Sequence, residues 1–87
     1  MTAIKVRDGA TIWREVDGET IVLALQSSRY LGLNRTGTVL WPTMVEGTTT
    51  MDLIDLLVSR FAIDRDRAES DVAAFVGSCR ARGLLEP

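Results

Sequence analysis

Acid–base or nucleophilic catalysis needs an activated side chain, and this 87-residue chain offers few. It has no histidine, which removes the commonest general base and the commonest metal ligand together. Its one cysteine, Cys79, therefore has no imidazole to activate it. It falls on the apolar stripe of a helical segment, where a thiol behaves as a small hydrophobe. Ser27, Ser28, Ser59, Ser70 and Ser78 lack a partner for the same reason. The 12 carboxylates sit mostly in turns, at helix caps and on polar helix faces, where solvation and dipole pairing account for them. Gly32 and Gly37 match no spacing that cradles phosphate. No enzyme activity, cofactor or metal is expected.

Binding is the remaining chemistry, and composition narrows it. Apolar residues make up 46% and charged residues 25%, as in an ordinary globular domain. A net charge of −2 argues against nucleic acid, whose phosphates call for a basic excess. No apolar run approaches the roughly 18–20 residues that span a bilayer. A lone cysteine excludes an internal disulfide, and Met1–Gly9 lacks the apolar core of a signal peptide. A reducing cytoplasm is the expected setting, with no membrane partner.

The elements that would position a binding site follow from pattern. Met1–Gly9 has no clear period and is expected to be a loose lead-in. Ala10–Val16 and Glu19–Gln26 are strand-like, and Asp17-Gly18 between them is the strongest short hairpin signal. Arg29–Asn34 is a third strand after a tight Ser27-Ser28 turn. Val16 then faces Glu19 and Trp13 faces Val22; across the second turn Gln26 faces Arg29 and Val22 faces Leu33. Trp13, Val22, Ala24, Leu31 and Leu33 share one face. Ile12, Ile21, Leu23, Leu25 and Tyr30 share the other, to be covered in part by the lead-in or left as a contact surface. A helix over Thr36–Val45 is capped by Asn34 or Thr36 and is expected to kink or finish near Trp41, because Pro42 follows. A second helix, Met51–Phe61, starts after Thr49 or Thr50. A third, Arg65–Arg82, is capped by Asp64 and ended by Gly83. The fold class is α+β: a three-stranded antiparallel meander followed by three helices, βββααα, winged helix-turn-helix-like. One domain spans 1–87, with a core over about 10–85.

In such a meander the third strand keeps a free edge unless something covers it. Arg29–Asn34 barely blunts that edge: it has no proline, and Arg29 is its only charge. Gly32 removes a side chain at mid-strand and eases close approach of another backbone. An extended peptide could add a strand here. On the third helix, Asp71, Phe75, Ser78 and Arg82 recur at spacings of three or four and so lie along one side.

Tyr30-x-x-Leu33-Asn34-x-x-Gly37-x-x-Leu40-Trp41, then Glu46-Gly47-Thr48-Thr49, Asp71-Val72-x-x-Phe75 and Gly83-Leu84-Leu85, resemble the PqqD-like family. These small domains recognise the leaders of ribosomally made, post-translationally modified peptides. The likeness covers roughly residues 10–85. It implies a leader added as a strand on Arg29, Tyr30, Leu31, Gly32, Leu33 and Asn34 and packed against Asp71, Phe75, Ser78 and Arg82. Free-standing members of this kind resemble the leader-binding component of lasso-peptide biosynthesis. That implies, as partners, a precursor leader peptide, a transglutaminase-like cysteine protease that cleaves the leader and an ATP-dependent lasso cyclase. The competing assignments are a PqqD-type peptide chaperone for pyrroloquinoline quinone synthesis, working with a radical S-adenosylmethionine enzyme, and a winged-helix DNA-binding regulator. A structural subunit using the second apolar sheet face to dock or dimerise is a further alternative.

Overall fold

The computed structural model describes residues 3–87. In chain order its elements are β1 (Ala3–Ile4), β2 (Thr11–Val16), β3 (Glu19–Ala24), β4 (Arg29–Leu33), α1 (Arg35–Glu46), β5 (Thr48–Thr49), α2 (Thr50–Phe61) and α3 (Arg65–Ala81). The meander β2-β3-β4 followed by three helices is the fold class expected from the sequence. A second, two-stranded sheet of β1 and β5 adds to it.

The first hairpin follows its turn chemistry. Asp17 and Gly18 both have positive φ, 53° and 81°, as a type I′ turn demands. Val16 faces Glu19 and Trp13 faces Val22, as expected. The second turn is wider than expected. β3 ends at Ala24, and Ala24 rather than Gln26 faces Arg29. Val22 therefore faces Leu31 instead of Leu33, a slip of two residues. An even slip leaves every side chain on its expected face, because the side-chain period of a strand is two. Val22 and Leu33 accordingly lie in the core, with Trp13, Ala24 and Leu31 half-buried against it.

Asn34 ends β4 and starts α1: its side-chain oxygen accepts from the Gly37 N–H at 2.9 Å. Thr38, one turn on, ties the helix to the sheet. Its hydroxyl accepts from the buried Thr20 N–H at 3.1 Å and donates to the Leu33 carbonyl at 3.4 Å. The helix does not stop near Trp41; it runs through Pro42 to Glu46. Pro42 is exposed, so water can take up the carbonyl its missing N–H leaves free. Trp41 is fully buried and meets Trp13 edge-on, ring centroids 6.4 Å apart. Thr49 caps α2 by accepting from the Asp52 N–H, and Asp64 caps α3 by accepting from the Arg67 N–H. α3 closes in a Schellman motif: Leu84 N–H bonds the Cys79 carbonyl and Gly83 N–H the Arg80 carbonyl, with Gly83 at φ 74°.

The lead-in is not loose. Met1 and Thr2 lie outside the described residues, but from Ala3 onward the segment is clasped. β1 pairs with β5, and Val6 bridges Leu85. Val6 N–H bonds the Met44 carbonyl, Arg7 N–H the Leu84 carbonyl, and Glu86 N–H the Lys5 carbonyl, all within 2.9 Å. Ile4 and Val6 are 1% and 4% exposed, so the core begins well ahead of residue 10. The two ends of the described chain are thus zipped together beneath the helices. Ile4→Ala is expected to cost about 2–4 kcal/mol in urea denaturation, as for a buried aliphatic residue. A loss below about 0.5 kcal/mol is what an unpacked lead-in would give.

Candidate functional site

β4 is an edge strand by topology, since the sheet order is β2-β3-β4. Among the described residues nothing pairs with its outer side, and the lead-in that could have covered it goes to β5 instead. The phase of the ladder fixes which amides are free. Leu25 N–H bonds the Ala10 carbonyl, so the odd residues of β3 point toward β2. The even ones, Thr20, Val22 and Ala24, then point toward β4, opposite Leu33, Leu31 and Arg29. Tyr30 and Gly32 therefore turn their N–H and C=O groups outward. A methyl built on Gly32 would meet nothing within 4 Å, so the fold itself does not require glycine there.

α3 runs alongside this edge but apart from it. A trough lies between them, made of overlapping concavities. One, of about 180 Å³, lies at the start of β4, floored by Val22, Leu31 and Leu84 and rimmed by Arg29, Tyr30 and Arg82. The next, also about 180 Å³, is bounded by Leu31, Gly32, Leu33 and Asn34 on the strand and by Phe75 and Ser78 on the helix. A third, about 280 Å³, continues past Asn34 and Thr36 to Asp71, Ala74, Phe75 and Ser78. Arg29 and Arg82 share one end, Asn34 and Asp71 the other, so strand and helix run antiparallel along the trough. All ten residues singled out in the sequence line it: Arg29, Tyr30, Leu31, Gly32, Leu33, Asn34, Asp71, Phe75, Ser78 and Arg82.

Their roles in the geometry differ. Tyr30 is 74% exposed and belongs to the outer sheet face with Ile12, at 60%. Phe75 is half-buried, packed on the core while forming the trough wall. Asp71 is approached by Arg67 at 3.8 Å, a loose i,i+4 pair. Gly37, absent from the expected site residues, also shapes the site. A methyl there would lie 2.7 Å from Phe75 Cε1 and 3.2 Å from Leu33 Cβ, so its bare Cα sets how deep the Phe75 ring sits. A glycine inside a helix costs about 0.5–1 kcal/mol relative to alanine, and that cost was the signal available in the sequence.

The family described as coenzyme PQQ synthesis protein D (PqqD) matches residues 19–85. The chain belongs to the PqqD family. This PqqD-family chain is similar to two solved structures. TbiB1, solved in complex with the TbiA(beta) leader peptide, is 29% identical, with a TM-score of 0.85 and 95% of each chain covered. A lasso peptide synthetase B1, solved complexed with the leader peptide, is 26% identical, with a TM-score of 0.81, covering 95% of this chain and 96% of that one. No curated protein sequence matches.

Cys79 takes no part in the trough of this PqqD-family chain. It is 1% exposed, and burial pushes its thiol up to about 11, against a smaller opposing pull from the Arg82 charge. Its neutral form is the one the fold favours. That contribution is intact below pH 9 and is lost as pH rises toward about 11. Two outcomes are expected. At pH 8 the folded protein should react with a thiol reagent no faster than it opens, and the pH 9–11 loss of stability should shrink in Cys79→Ala. Gly37→Ala should shift the Phe75 ring resonances and cost about 1–3 kcal/mol. Unmoved ring signals would mean that Gly37 does not set the trough wall.

Proposed function

We propose that this chain binds a precursor leader peptide as a fourth strand on β4. The observation that carries this reading is the pair of outward-facing backbones at Tyr30 and Gly32, set across an open trough from α3. An extended peptide entering the trough completes the ladder with one edge and packs its side chains against Leu31, Leu33 and Phe75. The two similar structures were both solved with a leader peptide bound, which supports the same mode here. In this reading the domain is non-catalytic and acts in the cytoplasm. It holds a lasso-type precursor for a transglutaminase-like cysteine protease, which removes the leader, and for an ATP-dependent cyclase, which closes the ring.

DNA binding is the weaker reading on electrostatic grounds. Of the arginines on and beside α3, Arg65 is paired with Asp55 at 3.0 Å and Arg67 approaches Asp71. These acidic neighbours and the net charge of −2 leave no basic excess for phosphate. The alternative of a chaperone in pyrroloquinoline quinone synthesis shares the same binding edge and differs in the precursor and enzyme served.

The test is fluorescence anisotropy with a labelled lasso-precursor leader, the TbiA(beta) leader bound by the similar TbiB1 serving as the first probe. The wild-type protein should bind it. Gly32→Pro removes one outward N–H and distorts the edge, and should weaken binding at least about a hundredfold while circular dichroism stays native. Undiminished affinity in a folded Gly32→Pro variant would sink the strand-addition mode.

A further inference from the structure

The trough is polarised, and its ends are charged by residues with different histories in the fold. Arg29 opens β4. Arg82 is the C-cap of α3. The two elements are far apart in sequence, yet both residues rim the same concavity of about 180 Å³. Neither arginine belongs to an ion pair among the described residues, whereas Lys5, Arg65 and Arg67 each have an acidic partner. The floor between them is apolar, from Val22, Leu31 and Leu84. Among the described residues no acidic side chain lines this end. The far end carries the opposite sign: Asp71 stands there with Asn34, Thr36 and Ser78, held only by the loose contact to Arg67.

We infer that the Arg29–Arg82 concavity is a carboxylate subsite of the peptide trough, and that the chain selects a peptide segment with an acidic residue at that end. This rests on the strand-addition reading. Two unpaired guanidinium groups around an apolar floor suit a Glu or Asp side chain. The methylene stem lies on Val22, Leu31 and Leu84, and the carboxylate accepts charge-assisted hydrogen bonds from the two forks. Arg29 and Asn34, at opposite ends of the trough, are five steps apart along the strand, so the ends lie about 17 Å apart at 3.4 Å per residue. The ligand therefore carries its acidic residue roughly four to six positions from the residue that meets Asp71. A basic or polar residue fits at Asp71, and apolar residues fit between. Backbone pairing alone accepts any sequence and can slide by two residues without changing faces. Charges at both ends pin the register, because a slip of two moves each charge by about 7 Å.

The test uses the labelled leader with wild-type protein and with Arg29→Glu/Arg82→Glu, in low and high salt. Both arginines are exposed, so the double variant is expected to fold. Arg29→Gln/Arg82→Gln, which puts no negative charge at the end of α3, serves as its neutral companion. In low salt the Glu variant should bind about tenfold more weakly and the Gln variant a few-fold more weakly. Both should approach wild-type affinity in high salt. Replacing the acidic leader residue by lysine should weaken binding to wild type and restore it to the Glu variant. Wild-type affinity of the Glu variant in low salt overturns the subsite, and so does a loss that salt leaves unchanged. If the leader fails to bind wild-type protein at all, strand addition falls and the subsite with it. If it binds while ignoring the arginines, the subsite alone falls.

Discussion

A strand held on one side only exposes amide groups that must bond to water or to another chain. In this fold those groups belong to Tyr30 and Gly32, and nothing among the described residues reaches them. The lead-in is the segment best placed by sequence to cover an edge. It is instead spent on β5 and on the chain's other end, where Val6 meets Leu85 and Glu86 N–H meets the Lys5 carbonyl. Asn34 turns the chain into α1 directly after β4, and Thr38 bridges Thr20 and Leu33. The inner side of β4 is therefore fixed to its last residue, so a partner meets a strand already straightened.

The other wall depends on how closely helices approach that strand. α3 is carried mainly by α2, and its Schellman end sends Leu84 and Leu85 back into the core. Phe75 is drawn down onto α1 because Gly37 offers no side chain to stop it. Depth at one end of the trough and width at the other thus trace to a glycine on a helix and a cap at a helix terminus. Neither Gly37 nor Gly83, the turn residue of that cap, contacts a ligand in the proposed mode.

Much of this was legible in the sequence because turn and cap signals are local. Asp17-Gly18, Asn34, Thr49, Asp64 and Gly83 each did what their chemistry requires. The edge strand followed from strand count alone. The second turn is two residues wider than the pattern implies, since Leu25 and Gln26 look strand-like until the chain must pass over to β4. The even shift preserves parity and leaves the site's faces unchanged. The pairing of the lead-in leaves no such local signal. Ile4 and Val6 do alternate, but a two-residue strand is too short to give a period, and its partner Thr48–Thr49 lies more than forty residues away in sequence. The extension of α1 past Pro42 was hidden because proline's cost depends on exposure, which sequence does not print.

The magnitudes also decide what the trough must contribute. Tyr30 and Gly32 offer two N–H and two C=O groups, worth about 0.5–1.5 kcal/mol net apiece, or about 2–6 kcal/mol together. Bringing two molecules together costs about 4–15 kcal/mol before any contact is counted. Backbone pairing alone therefore does not hold a peptide; the apolar wall of Leu31, Leu33 and Phe75 must supply the surplus. The same wall answers the liability of an open edge. A second copy of the sheet approaching β4 edge-on would bring its own layer of side chains into α3. A single extended chain needs only the width of one strand, about 4.8 Å, and fits between them. In the proposed mode the helix beside this five-residue edge therefore favours a single extended chain over a second sheet.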